Sequence, residues 1–149
     1  MAYLVRSLIP ALVLYVRQYD VLTRDELVKY LDESMAMRDE ANLRNGEGGP
    51  LVHTITDARH MIKHEVQLND MQTMLRSLRN QRVGWSLYVS SSKVTRFLVS
   101  VAHQIVGVRH YICATMDEAL LFINRIDDSL PPLKVEQVDA LIAQKDDPR

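Results

Sequence analysis

The chain opens on two apolar runs separated by a proline. Tyr3-Leu4-Val5-Arg6-Ser7 reads as a short strand, and Leu12 to Tyr19, rich in β-branched and aromatic residues, as a second. Ile9-Pro10-Ala11 between them is a turn, because proline fixes its own φ and cannot donate to a strand ladder. The two strands are close enough in sequence to pair as an antiparallel hairpin. Thr23-Arg24-Asp25-Glu26 is a capping box that starts a helix. Leu27, Tyr30, Leu31, Ser34, Met35 and Arg38 then recur at helical spacing, with Leu27, Leu31 and Met35 as the expected core stripe. Asn45-Gly46-Glu47-Gly48-Gly49-Pro50 ends the helix, and its three glycines make it the segment expected to be most mobile.

Leu51 to Asp57 reads as the next strand, and Ala58 to Leu68 has no clean period. Asn69 is the expected N-cap of a helix through Arg79, with Met71, Met74, Leu75 and Leu78 inward. Trp85 to Val89 is a strand following Gly84. Ser90-Ser91-Ser92 leads into a third helix whose expected core face is Val94, Phe97, Leu98, Val101, Ala102 and Ile105, closed by Gly107. Val108 to Ala114 is the last strand. Thr115-Met116-Asp117-Glu118 is a second capping box, opening a helix with Ala119, Leu120, Phe122, Ile123 and Ile126 as its apolar residues. Pro131-Pro132 interrupts the chain, Val135 to Gln144 suits a short amphipathic helix, and Lys145 to Arg149 should fray.

The order β-β-α-β-α-β-α-β-α implies an α/β fold: a mostly parallel mixed sheet with an N-terminal β-hairpin and four crossover or flanking helices. Residues 1–128 form the expected α/β domain, and residues 129–149 a proline-containing tail. The chain's 149 residues fit one domain with a proper core. Eighteen basic and 19 acidic residues leave a net charge of −1, which gives no electrostatic footprint for nucleic acid. Cys113 is alone, so no internal disulfide forms, which fits a cytoplasmic location. The apolar run at Leu8 to Val16 is split by Pro10 and ended by Arg17. It falls far short of the ~20 residues that cross a bilayer, so no transmembrane segment is expected.

Three stretches resemble a known family. They are Leu12-Val13-Leu14-Tyr15-Val16 with Leu22-Thr23-Arg24-Asp25-Glu26-Leu27; Leu51 through Thr56-Asp57-Ala58-Arg59; and Phe97-Leu98 through Val108-Arg109-His110-Tyr111 to Thr115-Met116-Asp117-Glu118-Ala119-Leu120-Leu121-Phe122-Ile123. Their order, over about residues 3 to 127, resembles the STAS domain of bacterial anti-sigma-factor antagonists, closest to its SpoIIAA-like, STAS/SEC14-like branch. The resemblance implies that fold and a bacterial regulatory or protein-interaction role. Family members that act as phosphorylation switches carry a serine or threonine just after the central strand. This chain has none between Thr56 and Thr73, so the switch does not transfer.

Candidate chemistry is sparse. Asp57, Arg59, His60 and Lys63 follow the end of a central strand, where ligands of open α/β sheets bind. Ser90, Ser91, Ser92 and Lys93 open a helix and suit an anion, or simply cap it. These eight are the candidate ligand or partner surface. His60 and His64 stand at i and i+4, a metal spacing only if the segment is helical, and no further ligand is nominated. His110 and Cys113 point to opposite faces of a strand and cannot meet. No nucleotide-binding glycine motif or nucleophile elbow is present. No catalytic residue, metal or cofactor is therefore assigned. The expectation is a non-catalytic interaction or regulatory module of the bacterial cytoplasm, binding a protein partner or itself, for instance as a homodimer, and not nucleic acid. Such a module should expose an apolar patch, at the hairpin edge or the tail helix. The alternative that the STAS/SEC14-like resemblance implies, by analogy with its lipid-binding side, is a binder of a small apolar or anionic ligand, which needs a pocket lined from the first and third helices. An enzyme would require Asp57, Arg59, His60 or the Ser90–Ser92 segment to converge in one cleft.

Overall fold

A computed structural model describes residues 2–78 and 82–143. Among them, the elements run β1 (Tyr3–Ile9), β2 (Val13–Leu22), α1 (Arg24–Asn45), β3 (His53–His64), α2 (Leu68–Leu78), β4 (Ser86–Val89), α3 (Lys93–Val106), β5 (His110–Cys113), α4 (Met116–Ile126) and α5 (Val135–Ala143). The expected order is present, with the tail helix added. The side chain of Leu78, together with Arg79, Gln144 and residues 145–149, lies outside the described residues.

The sheet order is β1-β2-β3-β4-β5. β1 is antiparallel to β2, and every other neighbouring pair is parallel. Parallel neighbours need crossovers, and crossovers are right-handed. Because β2 to β5 are added in one direction, α1, α2 and α3 all fall on one face. The opposite face carries Val13, Tyr15, Ile55, Leu87, Val89 and Cys113, and is covered by α4 and by Leu130, Leu133 and Val138 of the tail. The segment after Asp128 therefore completes the core. Asn124 fastens it, donating Nδ2 to the Leu133 carbonyl and accepting from the Leu133 N–H, each at 3.2 Å.

Several details depart from the sequence expectations. β3 continues seven residues beyond Asp57, so the aperiodic stretch after Ala58 is largely strand. Its pairing with β2 slips twice, between Arg17 and Tyr19 and between Asp20 and Val21, which blurs the alternation a sequence reader looks for. α2 begins at Leu68, which places Asn69 inside the first turn instead of at the cap. α1 starts at its Thr23 cap as expected, but buries Leu27, Ser34, Arg38 and Ala41, and Leu31 and Met35 are only half-buried. α3 buries Val99, Ala102, His103 and Val106. Val94, Phe97 and Ile105, expected inside, are 70%, 67% and 56% exposed. This helix has apolar residues on two faces, and the sheet takes the other one. The glycine loop is tied down: Asn45 Nδ2 donates to Ala11 O at 2.8 Å and to Pro50 O at 3.1 Å, and Arg82 donates to the Gly46 and Gly49 carbonyls.

His53 clips the start of β3 to the approach to β4 and to the end of α4. The Trp85 N–H donates to its Nδ1 at 2.9 Å, so its Nε2–H donates to Asp127 Oδ2 at 2.8 Å. Gly84 makes room for this ring. A Cβ there would lie 2.5 Å from His53 Nδ1 and 2.8 Å from Val52 O. Gly84→Ala should cost about 2 kcal/mol in urea unfolding and so lower the midpoint, since backbone as well as ring must shift. An unchanged midpoint would show that the clip tolerates displacement.

Candidate functional site

Parallel strands covered on both faces usually read as continuous apolar runs. Here the face under α1, α2 and α3 breaks that rule. Thr54 of β3 pairs in register with Ser86 of β4, and Thr56 with Tyr88. Alternation places these residues on the same face as Val16 and Gln18 of β2. Between this polar strip and the three helices lies a cavity of about 120 Å³. Its walls include Leu22, Leu27, Leu31, Met61, Val66, Met71, Met74 and Leu75.

Arg38 projects into this space from the inner face of α1. It is 5% exposed. Its Nη2 donates to Thr54 Oγ1 at 3.1 Å, and its Nε and Nη1 hydrogens are buried without an acceptor. None of the ion pairs among the described residues involves it. Burial pulls its pKa down, and nearby Asp39 offsets part of that. A guanidinium nonetheless stays protonated in proteins. The result is a permanent cation inside the fold with spare donors and no ion-pair partner among the described residues.

The other polar groups around the cavity are satisfied more fully. Tyr88 donates its hydroxyl to Gln18 Oε1 at 3.2 Å, and Gln18 Nε2 donates to the Tyr30 hydroxyl oxygen at 3.1 Å. Desolvation raises the pKa of both tyrosines well above the ordinary phenol value. His103 Nδ1–H donates to Val99 O at 2.7 Å, which leaves Nε2 to accept from Ser86 Oγ at 3.1 Å. Burial pushes the His103 pKa down to about 4, so the ring is neutral at physiological pH.

None of the eight candidate surface residues lines this cavity. Asp57 is wholly buried on the opposite face, among the core side chains. Arg59 grips it through Nε and Nη2, both at 2.8 Å, and Tyr15 donates its hydroxyl at 2.6 Å. Burial raises the Asp57 pKa, but these bonds outweigh it and hold the carboxyl below its ordinary value. His60 and Lys63 are exposed on β3. His60 and His64 do not form a helical pair: four residues of strand separate them by about 13 Å, and His64 Nδ1–H donates to Val66 O at 2.9 Å. Ser92 caps α3 by accepting from the Thr95 N–H, Ser90 accepts from the Ser92 N–H, and Ser91 and Lys93 point to solvent. The functional residues that the sequence reading passed over are Arg38, Thr54, Ser86 and His103. Their signal was polar residues standing at alternate strand positions and inside a helix's buried stripe.

No protein-family model matches the chain, and no curated protein matches it. Solved structures do match. One is the crystal structure of an uncharacterised protein of the DUF3478 family with a SpoIIAA-like fold from Shewanella loihica PV-4. It superposes with a TM-score of 0.52 at 11% identity, over 74% of this chain and 82% of that one. The chain has the SpoIIAA-like fold. Among the described residues of this SpoIIAA-like domain, no helix is long and apolar enough to cross a membrane.

The Asp57 cluster is structural and gives a direct test. Asp57→Ala strands Arg59 and the Tyr15 hydroxyl, and should cost about 3 kcal/mol in urea unfolding at neutral pH. Because the folded pKa is depressed, the carboxylate's contribution is present above about pH 4 and is lost as pH falls through the folded value. The gap between wild type and variant should therefore close in acid. A gap constant with pH would mean that packing, not charge, sets the effect.

Proposed function

We propose that this SpoIIAA-like domain acts by binding rather than by catalysis, and that it takes a small anionic ligand with an apolar body into the cavity beneath α1, α2 and α3. The observation that carries this reading is Arg38. Native proteins hydrogen-bond nearly all buried polar groups, and a buried charge without a partner costs several kcal/mol. Selection retains such a group where something completes it. A guanidinium with two free donors, a hydroxyl at its side and aliphatic walls around it is complementary to an anion carrying apolar surface. Of the two sequence-based readings, this favours the ligand binder, and it fits the expected pocket lined from the first and third helices.

The interaction-module reading keeps one specific support. Val94, Phe97 and Ile105 form an exposed apolar stripe on α3, away from the hairpin edge and tail helix where such a patch was expected. A protein surface of the bacterial cytoplasm, including a second copy of the chain, would cover it.

Two outcomes follow. Arg38→Met should stabilise the ligand-free protein by about 1–3 kcal/mol in urea unfolding, because a lone buried charge is replaced by apolar volume. The same variant should lose the thermal stabilisation that small carboxylates or phosphates give the wild type. A wild type that no such anion stabilises would remove the binding reading. For the α3 stripe, light scattering across a concentration series should show a mass above the monomer that Phe97→Asp abolishes. A monomer at all concentrations would exclude self-association.

A further inference from the structure

The cavity has a long axis and two unlike ends. Leu27 and Arg38 both line it and sit eleven residues apart on α1, about 16 Å along the helix. On β3, Met61 and Thr54 mark the same two ends. Thr54, Ser86 and His103 stand at the Arg38 end. Leu22, Val66 and the thioethers of Met61 and Met71 stand at the other. A volume near 120 Å³ drawn out over that length is a slot. A compact cavity of about 150 Å³ holds a benzene ring, whereas a slot of this shape suits one narrow chain. Methionine walls adapt readily to such a guest.

The charge of the guest is constrained as well. Among the described residues that line the cavity, Arg38 is the one that carries a permanent charge. The remaining titratable groups there are Tyr30, Tyr88, His64 and His103. Both tyrosines are held neutral by burial, as is His103. One cation matches one negative charge. A phosphate monoester approaches two charges at neutral pH, and its second would be buried without a partner, which is costly.

We infer that the ligand is a monocarboxylate with a single unbranched apolar chain, held with its carboxylate on the free Nε–H and Nη1–H of Arg38 and its chain laid along the slot toward Met61 and Met71. This rests on the binding reading above and names its substrate class. It also explains the polar strip of Thr54 and Ser86 as the collar of the head-group end, and the absence of acidic residues among the described residues of the lining.

The Trp85 ring packs on Phe122 of α4, on the other face of the sheet, so binding is read by isothermal titration calorimetry. The full chain would be titrated with acetate, octanoate, dodecanoate, octyl phosphate and octanol. Affinity should rise from acetate through octanoate to dodecanoate, by roughly fourfold per methylene until the slot is full. Octyl phosphate should bind about tenfold or more weaker than octanoate. Arg38→Met should lose octanoate and keep the wild-type response to octanol. Met71→Phe, which shortens the apolar end, should weaken dodecanoate more than octanoate. Octyl phosphate binding more tightly than octanoate would overturn the assigned head group. Equal affinity for acetate and dodecanoate would overturn the chain while leaving an anion site. Silence toward every probe, with no anion-dependent stabilisation, would remove the binding reading itself.

Discussion

Four parallel strands added in one direction, each joined to the next by a right-handed crossover, must place their three connecting helices on one face of the sheet. The other features depend on this. One face receives α1, α2 and α3 automatically. The second face receives nothing until the chain has passed β5. Only α4 and the tail remain to cover it, so Leu130, Leu133 and Val138 are core residues despite lying beyond the last strand. The Asn124–Leu133 pair and the His53–Asp127 bond are the fasteners that make this late cover part of the domain.

The two faces divide the work. The α4 side holds Asp57, the one buried carboxylate among the described residues, in a closed network with Arg59 and Tyr15. The α1–α3 side is incompletely filled. Its sheet strip is polar, its helices bring aliphatic and thioether side chains, and the space between them holds an arginine with no ion-pair partner among the described residues. A buried acid and a buried base occupy opposite sides of one sheet and do not neutralise each other. Asp57 is satisfied inside the fold, whereas Arg38 keeps Nε and Nη1 without an acceptor.

Much of the fold was legible locally. The Thr23 and Thr115 caps hold where the capping boxes placed them, and Gly107 closes α3 with a left-handed φ of 82°. These features depend on neighbours a few residues away. The cavity was not legible in the sequence because its members are close only in space. Asp57 and Arg59 drew attention at the end of a strand, yet two residues' separation in a strand lets them pair with each other. Arg38 was seen at helical spacing, but nothing local tells whether that stripe faces a carboxylate, solvent or a cavity. β3 was cut short because two register slips against β2 interrupt its alternation.

By itself the sequence determined the order and type of the elements, the hairpin, the helix caps and the resemblance to a SpoIIAA-like sheet, since periodicity and capping are encoded within single segments. Tertiary structure decided which of α3's two apolar stripes was buried, that the tail belongs to the core, and that Arg38, Thr54, Ser86 and His103 border one cavity. Those outcomes depend on which faces meet across the sheet. That is set by crossover handedness and strand register, which act between segments far apart in the chain.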